Sequence, residues 1–461
     1  MRHPAGDRRR EPVTAPGSGS LRAGQDFATT SGRRGRVGAL LGAGGQGEAY
    51  VVSLDGLSFA LKWYHPHYVT IDTMLRTRLD RAVRRGAPTN DFLWPLDLVD
   101  IAGSGSFGYV MPLRSDSFVS IRDLIAPPPR RLELSLPRRA DVCLHLARSF
   151  LELHASGFCY QDINFGNIFI EPASGRILIC DNDNVNIDGA EASIYGTRKF
   201  MAPEVVRRES LPNSRTDLFS MAVLFFYTFF GWHPFDGRRE AETQLLDAAA
   251  ELRLYGTEPL FLFDPDDSGN GPVEGYHDSI VARWRSLPTG LRKLFVRSFT
   301  EGLRDPGARV LETEWRTALR TIAGGTFACA HCGFEHVADA QRGEPIAPDY
   351  CQACVEPLAA PPILLLGNAA LVLAIGATIR GDELDPKGSG APGARVEAHP
   401  TRPEFVGLRN LGNRPWRATL PDRSTHAVPP GQAVRILPGL VLDFERRSGT
   451  VSGGRMLEPV A

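Results

Sequence analysis

Residues 159–170 read CYQDINFGNIFI, and residues 177–181 read ILICD. In the first stretch Asp162 and Asn167 stand five residues apart, and an apolar strand follows directly. This spacing places a carboxylate where it can accept a hydroxyl proton and an amide where it can hold a metal ion. The second apolar strand leads into another carboxylate, Asp181. Single residues of these types are common as turn caps, but turn caps do not account for the whole series.

A glycine-rich segment precedes this loop in the chain. Residues 41–52 read LGAGGQGEAYVV, which puts Gly42, Gly44 and Gly47 at the G-x-G-x-x-G spacing. Glycines let a backbone approach phosphate groups closely, although an ordinary hairpin can contain them as well. A dinucleotide-binding fingerprint would open a helix, whereas residues of strand character follow here. The pattern therefore predicts a strand, a glycine turn and a second strand.

The next predicted strand ends in Phe59-Ala60-Leu61-Lys62. A lysine inside an apolar strand is costly unless it is paired, and Lys62 is one of only four lysines in the chain. The alternative is a side chain that extends to solvent without a role. The functional interpretation is an ammonium group that binds the α- and β-phosphates of ATP.

With these motifs in place, residues 37–322 resemble a eukaryotic-like bacterial Ser/Thr protein kinase domain. Further landmarks of that family follow in its order: Leu153-His154, Gly196-Thr197, Ala202-Pro203-Glu204, Asp217-Leu218-Phe219-Ser220 and Arg309. The resemblance implies an α+β, bilobal kinase fold with a β-rich N-lobe and a helical C-lobe. It also implies that Arg309 pairs with Glu204.

The resemblance further implies transfer of the ATP γ-phosphoryl group to Ser/Thr hydroxyls of a protein substrate. Asp162 would be the catalytic base, with Lys62 and Asn167 as further catalytic residues, and Mg²⁺ (or Mn²⁺) would bind to Asn167 and Asp181. The residues implied in ATP binding are Gly42, Gly44, Gly47, Lys62, Ala60 and Met111.

The chain departs from the family in the acidic residue that pairs with Lys62. The αC helix of kinases supplies a glutamate, yet residues 62–100 contain no glutamate. Asp80 is the expected substitute, ahead of Asp72. The Asp-Phe-Gly motif is replaced by Asp181-Asn182-Asp183. Asp183 could bind Mg²⁺, face solvent or serve a structural turn.

The catalytic loop departs from the family as well. His-Arg-Asp is replaced by Tyr160-Gln161-Asp162, so the arginine that reads a phosphorylated activation loop is absent and the chain is of the non-RD type. Asn164 stands where kinases have a lysine that faces the γ-phosphate. These changes keep open an alternative, a pseudokinase-like ATP-binding scaffold, although Lys62, Asp162, Asn167 and Asp181 all remain.

Four of the seven cysteines form two C-x-x-C pairs, separated by 18 residues, within the predicted domain 323–358. Because the chain is expected to be cytoplasmic, this pattern predicts a structural zinc site rather than disulfides. The predicted Zn²⁺ ligands are Cys329, Cys332, Cys351 and Cys354. The nearby His331 and His336 are not needed as ligands and are expected to be exposed. The module resembles a zinc ribbon, with a structural or partner-docking role.

The last region, 362–455, contains short apolar runs separated by Gly, Pro and Asn, which predicts an all-β, sandwich-like domain. Its second half resembles the distal half of a forkhead-associated domain. The phosphothreonine-reading arginine and serine of that family are not recognisable, so a plain docking module is the alternative.

Composition limits the remaining classes. The chain has 461 residues and a formal net charge of −1, with 52 basic against 53 acidic side chains, so a nucleic-acid partner is not expected. Residues 1–36 are rich in Arg, Gly, Ser and Pro and are predicted to be a disordered basic arm. The most apolar segment, 363–375, is too short for a transmembrane helix, and a cytoplasmic protein is expected.

Overall fold

The computed structural model describes residues 19–189, 195–338, 347–367, 369–388 and 391–453. The chain divides into two compact units. The first consists of Met1–Asp116 with Leu178–Asn186, and the second of Ser117–Ile177 with Ile187–Ala461. Within the described ranges, no helix combines the length and the apolar character needed to cross a membrane.

A closed barrel of six antiparallel strands forms the first unit, in the order β1-β2-β3-β4-β6-β5. The alternating burial of β3 reflects its alternating sequence, which turns Tyr50, Val52 and Leu54 into the barrel core. The strands are β1 (Asp26–Thr29), β2 (Arg34–Ala43), β3 (Gly47–Leu54), β4 (Leu57–Tyr64), β5 (Asp97–Asp100) and β6 (Phe107–Pro112).

The first strand corrects the predicted disordered arm at 1–36. Residues 26–28 pair with residues 34–36, and Phe27 is buried in the barrel core. The barrel therefore begins well before residue 37, because a few apolar side chains in a polar stretch are enough to form a strand between β2 and β5. Residues 1–18 of the predicted arm lie outside the described residues.

Two helices follow β4 in this unit: α1 (Pro66–Ile71) and α2 (Leu75–Arg85). Helix α2 buries Leu75, Arg78, Leu79 and Ala82 along one face, a spacing of three and four residues. It ends where Gly86 adopts a φ of 78°, which a side chain would disfavour. An arginine therefore lies on the buried face of the helix.

The second unit begins with a helical part. Apolar residues at spacings of three and four predict a helix over 141–154, and this range lies within α3 (Leu136–Ala155). The nearly all-apolar run 220–230 predicts a buried helix, and it lies within α5 (Ser214–Phe230). Asn213 and Thr216 form a capping box that starts α5 earlier than its apolar run, and the helix is buried on all sides from Thr216 to Phe230. The helices are α3 (Leu136–Ala155), α4 (Pro203–Val206), α5 (Ser214–Phe230), α6 (Arg238–Ala241), α7 (Ala248–Leu252), α8 (Asp278–Ser286), α9 (Thr289–Phe299), α10 (Glu301–Arg304) and α11 (Glu312–Gly325).

Short strands accompany these helices: β7 (Val119–Ser120), β8 (Phe158–Cys159), β9 (Ile168–Ile170), β10 (Ile177–Ile179) and β11 (Asn186–Ile187). Residues 256–278 are rich in Gly, Pro and Asp, which predicts a long loop, and the structure has a short 3₁₀ turn within it at Ser268–Asn270. Its buried Asn270 donates from Nδ2 to Phe235 O, in the connection between α5 and α6, and to Leu260 O within the loop itself.

Strands dominate the C-terminal part of the unit. After the pair β12 (Thr326–Ala328) and β13 (Glu335–Val337), two antiparallel sheets follow, in the orders β15-β14-β23-β22-β19-β20 and β16-β17-β18-β21. One buried cluster joins side chains of both sheets, among them Leu364, Leu442, Val396 and Leu408, so the all-β prediction is confirmed. The elements are β14 (Ile363–Leu366), β15 (Ala369–Val372), β16 (Thr378–Arg380), α12 (Gly381–Leu384), β17 (Pro392–His399), β18 (Arg402–Asn410), β19 (Trp416–Thr419), β20 (Thr425–Val428), β21 (Ala433–Arg435), β22 (Val441–Asp443) and β23 (Ser448–Ser452).

Candidate functional site

The glycine-rich segment lies in the hairpin between β2 and β3, where Gly42 pairs with Ala49. Gly44 N–H donates to Gly47 O at 2.8 Å and closes the turn. A Cβ on Gly47 would lie 2.2 Å from Trp63 O, so only glycine fits there. A Cβ on Gly42 or Gly44 would meet no atom within 4 Å, which leaves open space over the turn. The predicted arrangement of strand, glycine turn and strand is present.

Lys62 lies on β4, next to this hairpin, and its side chain is buried. Its Nζ donates to Gln46 Oε1 at 3.0 Å, to Asp181 Oδ1 at 3.2 Å and to Asp183 Oδ2 at 2.9 Å. Burial lowers the pKa of Lys62, but the carboxylates of Asp183 and Asp181 outweigh it, and the net pKa is raised. Lys62 is therefore a fixed cation. It does not extend to solvent.

Two of the residues implied in ATP binding, Ala60 and Met111, are paired across neighbouring strands. Ala60 precedes Lys62 by two residues on β4, so both side chains point to the same face of the strand. Met111 lies on β6 and is half-buried. The small Ala60 beside the flexible Met111 leaves an apolar surface on the barrel wall.

The expected acidic partners of Lys62 are wrong. Asp80 pairs with Arg84 on the surface of α2, and its side chain is 46% exposed. Asp72 is buried, but both of its oxygens accept hydrogen bonds from Arg78. Asp183 takes the place beside the lysine. The expectation that Asp183 could face solvent is also wrong, because the residue is only 2% exposed.

The catalytic loop lies in the second unit. Asn167 Nδ2 donates to Asp162 O at 2.9 Å, and Asn164 Nδ2 donates to the same oxygen at 3.1 Å. Thr197 Oγ1 donates to Asp162 Oδ1 at 3.0 Å. Asn164, which replaces a lysine of the family, thus stabilises the loop backbone. These contacts bring Asp162 and Asn167 together as the spacing predicted.

A buried carboxylate, Asp217, holds the start of this loop. Its Oδ2 accepts from Tyr160 N–H at 2.5 Å and its Oδ1 from Gln161 N–H at 3.0 Å. Gln161 has a φ of 74°, a strained conformation that these bonds stabilise. The carboxylate also contacts His154 Nε2 at 3.1 Å, and Glu312 Oε1 lies 2.5 Å from His154 Nδ1. Sequence reasoning missed Glu312, which lies 158 residues from His154.

The segment that follows the catalytic loop ends at Ala202-Pro203-Glu204, and Glu204 forms the ion pair with Arg309 that the family landmarks predicted. Arg309 Nη2 lies 2.8 Å from Glu204 Oε1, and its Nη1 donates to Arg215 O at 2.9 Å. The Arg309 side chain is almost fully buried. The pair therefore ties the segment after the catalytic loop to the helix that follows it.

A sequence profile described as the protein kinase domain matches residues 103–265. This part of the chain is a protein kinase domain. Asp162, Asn167 and Asp181 lie inside the matched range, whereas the glycine hairpin and Lys62 precede it.

Curated relatives are kinases as well. The chain is 32% identical over 218 residues to CBL-interacting protein kinase 4 of Oryza sativa subsp. japonica, which covers 39% of this chain and 47% of the relative. It is 35% identical over 129 residues to ribosomal protein S6 kinase alpha-2 of Homo sapiens, covering 26% of this chain and 17% of the relative. It is 34% identical over 87 residues to serine/threonine-protein kinase SCH9 of Candida albicans, covering 18% and 11%. The chain thus spans less than half the length of each relative, and these similarities support a kinase domain of the serine/threonine type.

Beyond the kinase domain, the four predicted zinc ligands converge. The Sγ atoms of Cys329, Cys332, Cys351 and Cys354 all lie within 4.8 Å of one another, and the Cys329–Cys354 and Cys332–Cys351 distances are 3.8 and 3.6 Å. A tetrahedral zinc ion with Zn–S bonds of about 2.3 Å requires S–S distances of about 3.8 Å, whereas a disulfide requires about 2.05 Å. The sulfur set fits a tetrahedral metal ion.

The nearby histidines differ from the expectation that both are exposed. His331 is exposed, but His336 is fully buried and its Nε2 lies 3.4 Å from Cys351 Sγ. Burial, with a smaller effect of Arg283, lowers the pKa of His336 to about 4. His336 is therefore neutral at pH 7 and can donate one ring N–H to the sulfur, as groups that support metal ligands do.

Proposed function

We propose that this chain is an ATP-dependent Ser/Thr protein kinase that transfers the γ-phosphoryl group to a protein hydroxyl. The contact between the buried Lys62 ammonium and the Asp181 carboxylate, at 3.2 Å, carries the proposal. It joins a phosphate-binding cation to a metal-binding anion beside the glycine hairpin. The matched kinase domain and its serine/threonine kinase relatives support the same reaction.

The roles follow from the donors that each residue offers. In the first unit, the open turn at Gly42, Gly44 and Gly47 would cover the phosphates, and Lys62 would bind the α- and β-phosphates. In the second unit, Asp162 would accept the proton of the substrate hydroxyl as its oxygen attacks the γ-phosphorus and ADP leaves. Thr197 Oγ1 and Asn167 Nδ2, which donate to its two oxygens, orient that carboxylate.

The metal-binding residues suit Mg²⁺, which prefers oxygen ligands. The Asp181 side chain is 43% exposed, so one carboxylate of the lysine site remains accessible to a cation. Asn167 uses its NH₂ group on the loop backbone, which leaves Oδ1 to face a metal ion. When bound, the ion would supply positive charge to the phosphate oxygens.

The non-RD interpretation is supported by Gln161. Its side chain is buried, and its Nε2 lies 3.6 Å from Cys159 Sγ. A neutral, inward-facing amide cannot pair with a phosphorylated activation loop. We therefore infer that activation-loop phosphorylation does not switch this kinase through the usual arginine.

Radiolabelled ATP tests the proposal. Purified full-length protein with a generic protein substrate is expected to transfer phosphate, and Asp162→Asn to lower kcat at least about 100-fold with nucleotide binding intact. Asp266→Asn, a change of the same kind on the surface, serves as the control. Nucleotide binding without any transfer by the wild-type protein would favour the pseudokinase-like scaffold instead.

We also propose that the four thiolates hold a structural Zn²⁺ within a ribbon. Elemental analysis is expected to find one zinc per chain, lost when Cys329 and Cys351 are both replaced by serine. Replacement of the buried Cys143, which lies outside this cluster, is the matched control. Zinc-free protein with a normal unfolding profile would contradict the assignment.

For the β-sandwich we propose protein docking. Binding of the intact chain to phosphothreonine peptides, compared with the unphosphorylated peptides, separates a forkhead-associated function from a plain docking function. Equal binding of both forms would exclude phosphate recognition.

A further inference from the structure

Helix α2 cannot provide the acidic partner of Lys62. Its only acidic residue, Asp80, lies on the surface with Arg84, whereas the polar residue on its buried face is Arg78. Arg78 binds both oxygens of Asp72, at 3.0 and 2.6 Å, with both side chains almost fully buried. The helix therefore presents a neutralised cation where kinases have an anion.

The segment after β10 supplies a carboxylate instead. Asp183 Oδ2 accepts from Lys62 Nζ at 2.9 Å and from Tyr64 OH at 2.6 Å, and the Asp183 side chain is fully buried. Asn182 fixes this segment, because its Nδ2 donates to Leu93 O at 2.9 Å and to Ile179 O at 3.0 Å. Arg78 Nε approaches Asp183 O at 3.5 Å, so helix α2 contacts the backbone of the residue that carries the charge.

The three acceptors around Lys62 differ in what each can do. An ammonium group has three N–H donors, and they are directed to Gln46, Asp181 and Asp183. Gln46 is neutral and lies in the glycine turn, so a phosphate oxygen can replace it. Asp181 is half-exposed and can turn to a metal ion. The Asp183 side chain is fully buried, so its carboxylate has no access to solvent and stays paired with the Lys62 ammonium.

We propose that Asp183 is the positioning residue for Lys62, in the role that the αC glutamate has in other kinases. This inference rests on the proposed ATP-binding function of Lys62. The charges are then exchanged relative to other kinases. Helix α2 contributes a cation, Arg78, and the segment after β10 contributes the anion, Asp183. Coupling of helix position to Lys62 then runs through the Asp183 backbone.

An acyl-phosphate derivative of ATP tests the inference, because it acylates an amine held against its phosphates. The chain has four lysines, Lys62, Lys199, Lys293 and Lys387, so mass spectrometry of the full-length protein resolves labelling at each. In Asp183→Asn, labelling at Lys62 is expected to fall about 10-fold at fixed pH, with kcat/KM for ATP falling as much. Tyr64→Phe, which removes the second donor to the carboxylate, is expected to show a two- to fivefold loss.

Two further variants give the comparison. Asp80→Asn tests the rival partner, and its labelling at Lys62 is expected to stay within twofold of wild type. The same is expected of Asp100→Asn, a change on β5 that removes the surface partner of Arg76, which lies on helix α2 like Asp80. Thermal unfolding reports whether each variant is folded. If Asp183→Asn does not fold, the labelling of Lys62 in Tyr64→Phe tests the inference instead.

The outcomes separate the inference from the proposed function. Wild-type labelling at Lys62 in Asp183→Asn and Tyr64→Phe would overturn the inference, as would a loss in Asp80→Asn or no labelling of Lys62 in the wild-type protein. Labelling that depends on Asp183 in a protein without phosphotransfer would uphold the positioning role and refute the kinase activity.

Discussion

Two largely buried basic side chains in this chain each lie between two carboxylates, and they serve different ends. One lies in the barrel unit and the other in the helical part of the second unit. In both, the carboxylates come from segments far away in the sequence. The two sets are Lys62 with Asp181 and Asp183, and His154 with Asp217 and Glu312.

The difference lies in what remains accessible. At the lysine, one carboxylate is 43% exposed and the amide of Gln46 occupies the third donor, so a ligand can exchange with both. At the histidine, the side chains of the cation and both anions are only 12%, 2% and 7% exposed. Asp217 also accepts from two backbone N–H groups there. The first set is built to exchange partners, and the second to hold the catalytic loop in place.

The largest effect on stability is expected at the set around His154. Asp217→Ala leaves two buried N–H groups without their acceptor and removes one partner of His154, so the free energy of unfolding should fall by about 4 kcal/mol. Urea unfolding measures it. Glu209→Ala, which removes a surface partner of Arg207, is the control and should cost less than about 1 kcal/mol. Equal effects of the two changes would show that the histidine set does not hold the loop.

A smaller effect is expected at the lysine. Lys62→Met leaves the enclosed Asp183 without its cation, which should lower the free energy of unfolding by about 3 kcal/mol. Adding Asp183→Asn should recover part of that loss, because the uncompensated charge disappears. Urea unfolding of both single variants and the double variant gives the coupling energy.

The exposed pair Arg76–Asp100 provides the matched cycle for this measurement, with an expected coupling below about 1 kcal/mol. The raised pKa of Lys62 keeps the ammonium charged, so the coupling should not change between pH 6 and pH 9. A coupling energy no larger than that of the surface pair would show that Asp183 does not stabilise the charge of Lys62.

Features set by local spacing could be predicted from the sequence. The glycine hairpin, Lys62 inside β4, the contacts between Asp162 and Asn167, and the buried helix α5 all follow from residues close together in the chain. The paired cysteine motifs are of the same kind, since each C-x-x-C turn presents two sulfurs. Family landmarks added one distant contact, between Arg309 and Glu204.

Contacts between distant residues could not be predicted in the same way. Lys62 and Asp183 are 121 residues apart, and nothing in their local sequences selects one carboxylate over Asp80. The one available signal was the combination of a missing αC acid with a surplus acid in Asp181-Asn182-Asp183. The strand Asp26–Thr29 was missed for a related reason, because its partners on β2 and β5 give it an order that its own composition does not.

The smallest expected effect separates the two cations by pH. Burial lowers the pKa of His154, but the hydrogen bonds that its ring donates to Asp217 and Glu312 outweigh it and raise the pKa to about 9. A folded-state pKa above the unfolded value of about 6.5 stabilises the protein fully below pH 6.5, and that contribution disappears as the pH rises to 9. The free energy of unfolding of the wild type should therefore fall by roughly 2 kcal/mol between pH 7.5 and pH 9.5.

His154→Gln should flatten that slope, since a neutral amide can accept and donate in the same place without titrating. The double variant Lys62→Met/Asp183→Asn should leave the slope unchanged, because it removes the buried carboxylate together with a lysine that is charged across this range. At the acid end, the lowered pKa of Glu312 gives the opposite sign: its contribution is present above its unfolded pKa and is lost as the pH falls. A wild-type slope that persists in His154→Gln would mean that the histidine is neutral between its two carboxylates, and the two buried sets would then differ in charge as well as in exposure.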